Sequence, residues 1–239
     1  MSKHHTDREY GEHLGELRES LLSIAQLVEE MIDDATRALI QGDVELAQET
    51  IRKDRRVNQR ELEIDELCTL ILAKWQPVAV DLRFVTIALK MVTDLERIGD
   101  LAVNLCERTI DHGGAFTEFD VSESLQEMSD LVRGMIRMAI EAFFERDAER
   151  ARAVLDADDR VDELYSEVFR VVLAEMQKDP SIVQQGTHMV SILKWMERMG
   201  DHATNIAEHV VFMVRGQDIR HEGKLPRRAS VPGTKPTPK

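Results

Sequence analysis

Aromatic residues are scarce in this 239-residue chain, at 5%, and cysteine appears only twice, proline six times and glycine twelve. Two thiols in a chain of this size give no disulfide framework, so Cys68 and Cys106 read as small core residues of a protein from a reducing cytoplasm. No charge-free run reaches the eighteen or so apolar residues that a membrane span requires, and the polar start MSKHHTDREYGEH lacks the apolar stretch of a signal peptide. Positive charge is also short: 31 Lys and Arg stand against 45 Asp and Glu. A net charge of −14 argues against a general nucleic-acid binder, because phosphate contacts need a basic face. There is no Gly-rich phosphate loop, no serine nucleophile elbow and no Cys-x2-Cys pair. What positive charge there is collects at the end, where seven Lys or Arg from Arg215 onward face only Asp218 and Glu222.

What fills the chain is helix-forming residues with apolar positions at helical spacing, as in Leu14, Leu17, Leu21, Ile24, Leu27 and Met31. This predicts a first helix from about Tyr10 to Gln41, stopped by Gly42, and a second capped by Asp43 and broken at Gln76-Pro77. A third runs from about Ala79 to Ile110 and ends before Asp111-His112-Gly113-Gly114. The order then repeats, with helices from Ser122 to about Phe144, from Asp147 to about Lys178, and from Ser181 to Val214.

The repetition extends to register. Asp43, Ala47, Asp54, Val57 and Asn58 correspond to Asp147, Ala151, Asp158, Val161 and Asp162 at an offset of 104, and DLERIGD at 94–100 matches WMERMGD at 195–201 at an offset of 101. Internal duplication is the economical explanation. The expected fold is all-α: two tandem antiparallel three-helix bundles at 9–111 and 121–215, followed by a basic, Pro-containing flexible tail at 216–239.

The duplicated motif places Glu96 and Asp100 one turn apart on one helix face, and Glu197 with Asp201 likewise. Both run beside the apolar stripe that Leu95, Ile98, Ala102 and Leu105 define. The second helix carries a matching row in Asp54, Asn58, Glu61 and Asp65, and the fifth carries Asp158 and Asp162, with Tyr165 where Glu61 would fall. If these rows face each other, their oxygens suit hard cations such as Mg²⁺, Mn²⁺, Ca²⁺ or iron rather than structural zinc. The competing reading has the same carboxylates solvated or paired with Arg56, Arg97, Arg160 and Arg198, on a helical scaffold that only binds partners. His202 and His209 have no counterpart in the first copy and read as polar surface histidines. A di-iron oxidase would need Glu-x-x-His pairs, and none of the eight histidines follows a Glu at that spacing.

Two bundles with ERIGD and ERMGD on their third helices, Asp-x3-Asn at Asp54 and Asn58, and QPVAVDLRFV after the second helix resemble the PhoU family of bacterial phosphate-signalling regulators. That resemblance implies multinuclear metal sites at Glu96 with Asp100 and Glu197 with Asp201, helped by Asp54, Asn58, Asp158 and Asp162. It also implies a homodimer and no catalysis. The implied role is regulation of phosphate uptake and restraint of the phosphate regulon when phosphate is plentiful, as a cytoplasmic adaptor between the ATPase subunit of a phosphate ABC transporter and a sensor histidine kinase, meeting the membrane only through those partners. Tyr165 departs from the family pattern, which leads us to expect fewer or weaker ions in the second site. The basic tail is outside the pattern too.

Overall fold

The computed structural model describes residues 2–216. The tail predicted at 216–239 lies outside the described residues beyond Gly216. Six long helices follow one another: α1 (Ser2–Gln41), α2 (Val44–Trp75), α3 (Ala79–His112), α4 (Ser122–Glu145), α5 (Ala148–Lys178) and α6 (Val183–Arg215). A single 3₁₀ turn, Pro180–Ile182, leads into α6. The first helix starts earlier than the apolar pattern indicated, because nothing in its polar opening breaks a helix.

Local chemistry sets the corners. Asp43 accepts a hydrogen bond from the backbone N–H of Leu46, and its duplicate Asp147 accepts from those of Glu149 and Arg150, which satisfies amides that have no intrahelical partner. The second copy tolerates a left-handed Arg146 where the first has Gly42. At Gly42 glycine is required twice over. Its φ is +68°, and an added Cβ would lie 2.2 Å from the backbone nitrogen of Ala115 in the connection between the bundles.

Helices α1–α3 pack into one bundle and α4–α6 into the other, and α3 lies along α6 while α1 lies along α4. Both of these inter-bundle pairs are antiparallel. Asp33 meets Arg133 and Glu29 meets Arg137, while along α3 and α6 Asp94 meets His202 and Arg108 lies over the Trp195 ring. The buried residues form one continuous apolar cluster that runs through both bundles, from Leu17 to Met213. Phe84 of α3 stacks on the buried Phe143 of α4 with ring centroids 4.7 Å apart. Burial pushes the thiols of Cys68 and Cys106 up to about 12, in keeping with their reading as core residues.

The contact between bundles has internal twofold logic. At the offset of 104, Glu29 corresponds to Arg133 and Asp33 to Arg137. Each acid of α1 therefore meets the duplicate of the other acid's position, and the duplicate carries the opposite charge. The pairs measure 2.5 and 2.7 Å.

Candidate metal centre

The α2–α3 face of the first bundle gathers all five residues expected there. Asp54, Asn58 and Glu61 come from α2, and Glu96 and Asp100 from α3. Their proximity shows in their acidities. Burial first, then the Asp100 carboxylate, raises the pKa of Asp54. Glu96 is raised by burial, by Asp100, and by Glu61 and Asp54 across the helix pair. Glu61 is raised by burial and by Asp65 and Asp100, with Arg97 opposing. Each group is an anion held near other anions, at the margin of an apolar core, which disfavours its charged form.

Two oxygens there lack any partner. Asn58 donates its amide N–H to Asp54 Oδ2 at 2.8 Å. Asp54 Oδ1 and Asn58 Oδ1, both buried, accept nothing. Buried acceptors are normally satisfied, and leaving one bare costs about 1–3 kcal/mol. A hard cation coordinates oxygens of this kind.

The second bundle repeats the arrangement with Asp158 and Asp162 from α5 and Glu197 and Asp201 from α6. It keeps four carboxylates, as many as the first site. Burial, then Asp162, Asp201 and Glu197, push Asp158 up to about 7. Asp162 and Asp201 are raised as well, by burial and then by Glu197. Tyr165 in place of an acid therefore leaves no deficit of negative charge; its ring stacks on Phe169 with Lys194 at its other side.

The duplicated glycines do different jobs. A Cβ on Gly200 would stand 2.9 Å from Asp158 Oδ1, so glycine lets the carboxylate reach the α6 backbone. A Cβ on Gly99 would meet Val57 Cγ1 at 3.5 Å, ordinary contact, so the first copy does not need the gap.

Arginine meets the ion-pair reading in the first row and not in the second. Arg97 lies 3.4 Å from Glu96 and 3.3 Å from Asp100. Arg160 turns instead to Glu127, Glu163 and Glu167. Arg56 and Arg198 form no ion pair among the described residues. Lys194, one turn before Glu197, pairs with it at 2.5 Å and is the cation that sequence reasoning missed; the i, i+3 spacing could have revealed it. Among the described residues, no three His, Cys, Asp or Glu side chains stand ready around a single ion position as they are.

The two histidines correct an expectation. Neither is a surface group: His202 and His209 lie between the bundles, with His202 Nδ1 2.9 Å from Asp94 Oδ1 and His209 Nε2 3.8 Å from Asp94 Oδ2. Asn205 donates to the same carboxylate at 3.5 Å. Apolar spacing along a helix locates the face that its own bundle buries. It says nothing of a second face that another bundle would cover.

Comparison with known proteins supplies the kinship. The family model described as the PhoU domain matches this chain twice, over residues 21–109 and 125–210. The chain belongs to the PhoU family. A protein of Pseudomonas putida named phosphate-specific transport system accessory protein PhoU homolog is 38% identical over 97% of this chain and 90% of its own length. A Pseudomonas aeruginosa protein of the same name is 38% identical over 92% of this chain and 91% of its own. The crystal structure of PhoU from Pseudomonas aeruginosa matches with a TM-score of 0.80 at 37% identity, covering 87% of this chain and all of that one. The phosphate transport system regulatory protein PhoU from Streptococcus pneumoniae gives 0.77 at 29% identity over 87% of this chain and 98% of that one. The tandem three-helix bundle is thus the PhoU fold, and the duplication seen in register is its repeated domain.

Proposed function

We propose that this protein is a metal-binding, non-enzymatic regulator of phosphate uptake. Its relatives are named as accessories of phosphate-specific transport systems, and the bare oxygens of Asp54 and Asn58 beside mutually repelling carboxylates support metal binding. Glu96, Asp100, Asp54, Asn58 and Glu61 would hold hard cations on the first bundle, and Glu197, Asp201, Asp158 and Asp162 on the second. Magnesium, manganese, calcium and iron all suit such donors. A bound cation would supply charge compensation and rigidity, not reaction chemistry. Held between the two rows, it would fix α2 against α3 and α5 against α6 and so set the outer surface that partners read.

By the same reading the protein is a cytoplasmic homodimer that links a phosphate ABC transporter ATPase to a sensor histidine kinase and restrains the phosphate regulon when phosphate is plentiful. No helix among the described residues is long and apolar enough to cross a membrane; on this reading, contact with the membrane runs through partners. The test has two parts. Mn²⁺ added to chelator-treated protein should raise its melting temperature, and Glu96→Ala with Asp100→Ala should blunt that rise; two proteins equally indifferent to metal refute the metal part. Affinity capture from phosphate-replete cells should recover the transporter ATPase or the kinase, and recovery of neither refutes the adaptor part.

A further inference from the structure

The contact between α3 and α6 is written twice, once towards each end, and the two helices exchange roles at the offset of 101. In one copy Asp94 of α3 meets His202, Asn205 and His209 of α6, so a carboxylate is ringed by nitrogens. In the other copy the duplicate of Asp94 is Trp195, and the duplicate of His209 is Arg108, whose guanidinium carbon lies 5.7 Å from the centre of the Trp195 ring. Here the acid is gone and bases have been added. Arg108 stands for His209, His112 for Met213 and His188 for Ile87.

Two buried nitrogens in this copy, Arg108 Nε and His188 Nδ1, have no hydrogen-bond partner. Buried polar groups are normally satisfied, and at the other end of the contact a carboxylate satisfies them. Burial first, then Arg108 and His112, hold the pKa of His188 below its ordinary value, with Asp111 opposing, so cations crowd there. Asp111 does not close the gap: it is 65% exposed, and its oxygen is 3.7 Å from Arg108 Nη1, beyond hydrogen-bond reach. His112 is held in place, stacked on Phe116 at 3.9 Å with Nε2 3.3 Å from the Ala115 carbonyl oxygen. Arg108, His112 and His188 are each only partly buried, so a small solute can reach them.

We propose that the seam between the end of α3 and the start of α6 binds inorganic phosphate, which takes the place that the Asp94 carboxylate fills in the other copy. Arg108 donates through its planar fork to two oxygens of the tetrahedral anion, His188 donates to a third, and His112 adds positive charge beside them. Gln185, one turn before His188 on α6, carries a buried Oε1 that also lacks a partner. A phosphate that keeps a proton can donate to it, and sulfate cannot. The choice of phosphate rests on the reading of this protein as a regulator of phosphate uptake; an anion joined to both helices would tighten one bundle against the other.

The test uses the full chain, stripped of metal and dialysed free of chelator, with inorganic phosphate titrated in by calorimetry. Arg108→Gln should weaken binding about tenfold or more, the loss of a charge-assisted pair of hydrogen bonds. His188→Ile restores the residue that the first bundle carries and should weaken it about tenfold. Asp111→Asn, at an exposed position, should strengthen it about 2–5-fold by removing a competitor for Arg108. Absence of phosphate binding, unchanged affinity in Arg108→Gln and His188→Ile, or sulfate bound as tightly as phosphate overturns the proposal. The same sample is then titrated with Mn²⁺: a protein that answers to Mn²⁺ but not to phosphate refutes this site and leaves the metal reading standing.

Discussion

Replacing Gly99 and Gly200 by alanine separates two effects that the sequence motif presents as one. Both glycines lie in helix interiors, where glycine costs about 0.5–1 kcal/mol against alanine. At Gly99 the new methyl meets Val57 Cγ1 at 3.5 Å and Val28 Cγ2 at 4.0 Å, contact without overlap. Gly99→Ala should therefore recover that propensity and raise Tm by about 1–4 °C for a chain of this length. At Gly200 the methyl falls 2.9 Å from Asp158 Oδ1, which must move away. In chelator the carboxylate is the short end of a rotatable side chain, so its displacement offsets most of the propensity gain and Tm should change by less than about 1 °C. In saturating Mn²⁺ the two variants should diverge further, because Asp158 is a proposed ligand and Val57 is not. Gly200→Ala should then show a smaller metal-induced rise than the parent, and Gly99→Ala an equal one. Differential scanning calorimetry in both conditions decides the matter. Equal stabilisation of both variants, with equal response to Mn²⁺, would refute the claim that Gly200 makes room for a ligand carboxylate.

Three further outcomes follow from the same geometry. The folded state holds the Asp158 proton up to about pH 7 whereas the unfolded chain releases it near the ordinary 3.8. Metal-free protein should accordingly lose stability as pH rises through that window, while the stabilisation by Mn²⁺ grows with pH because binding displaces protons; melting curves from pH 5 to 8 in chelator that rise with pH would contradict this. Reversing Arg133 and Arg137 to Glu should cost about 1–2 kcal/mol, and adding Glu29→Arg and Asp33→Arg should restore much of it, a coupling that urea titration of the four-variant cycle measures. Both thiols, buried and pushed up to about 12, should stay unreactive toward Ellman's reagent in native protein and react fully in denaturant.

Much of this molecule can be read from its residues because helices announce themselves locally. The apolar spacing of α1, the caps at Asp43 and Asp147 and the breaks at Gly42 and Gly113 are all properties of neighbours in sequence, and the offset of 104 supplies the second half once the first is read. The carboxylate rows were legible for the same reason: Asp54 with Asn58, and Glu96 with Asp100, share faces by spacing alone. Contacts between bundles were not. His202, His209 and Asp94 meet across α3 and α6, and one helical wheel cannot show that a helix has a second face to cover. The left-handed turns at Gln76 and Arg146 were also hidden, since neither side chain advertises that conformation. The sign reversal from Glu29 and Asp33 to Arg133 and Arg137 was present in the aligned halves and becomes meaningful only when antiparallel packing sets those positions opposite one another.

That single apolar cluster, passing without interruption from Leu17 through the Phe84–Phe143 stack to Met213, has a mechanical corollary. Among the described residues there is no internal joint: one half swings on the other only by tearing open a shared interior. A signal arriving at one acidic row must then travel as stiffness or as electric field, and the molecule works as a loaded strut whose ends are read, not as a lever.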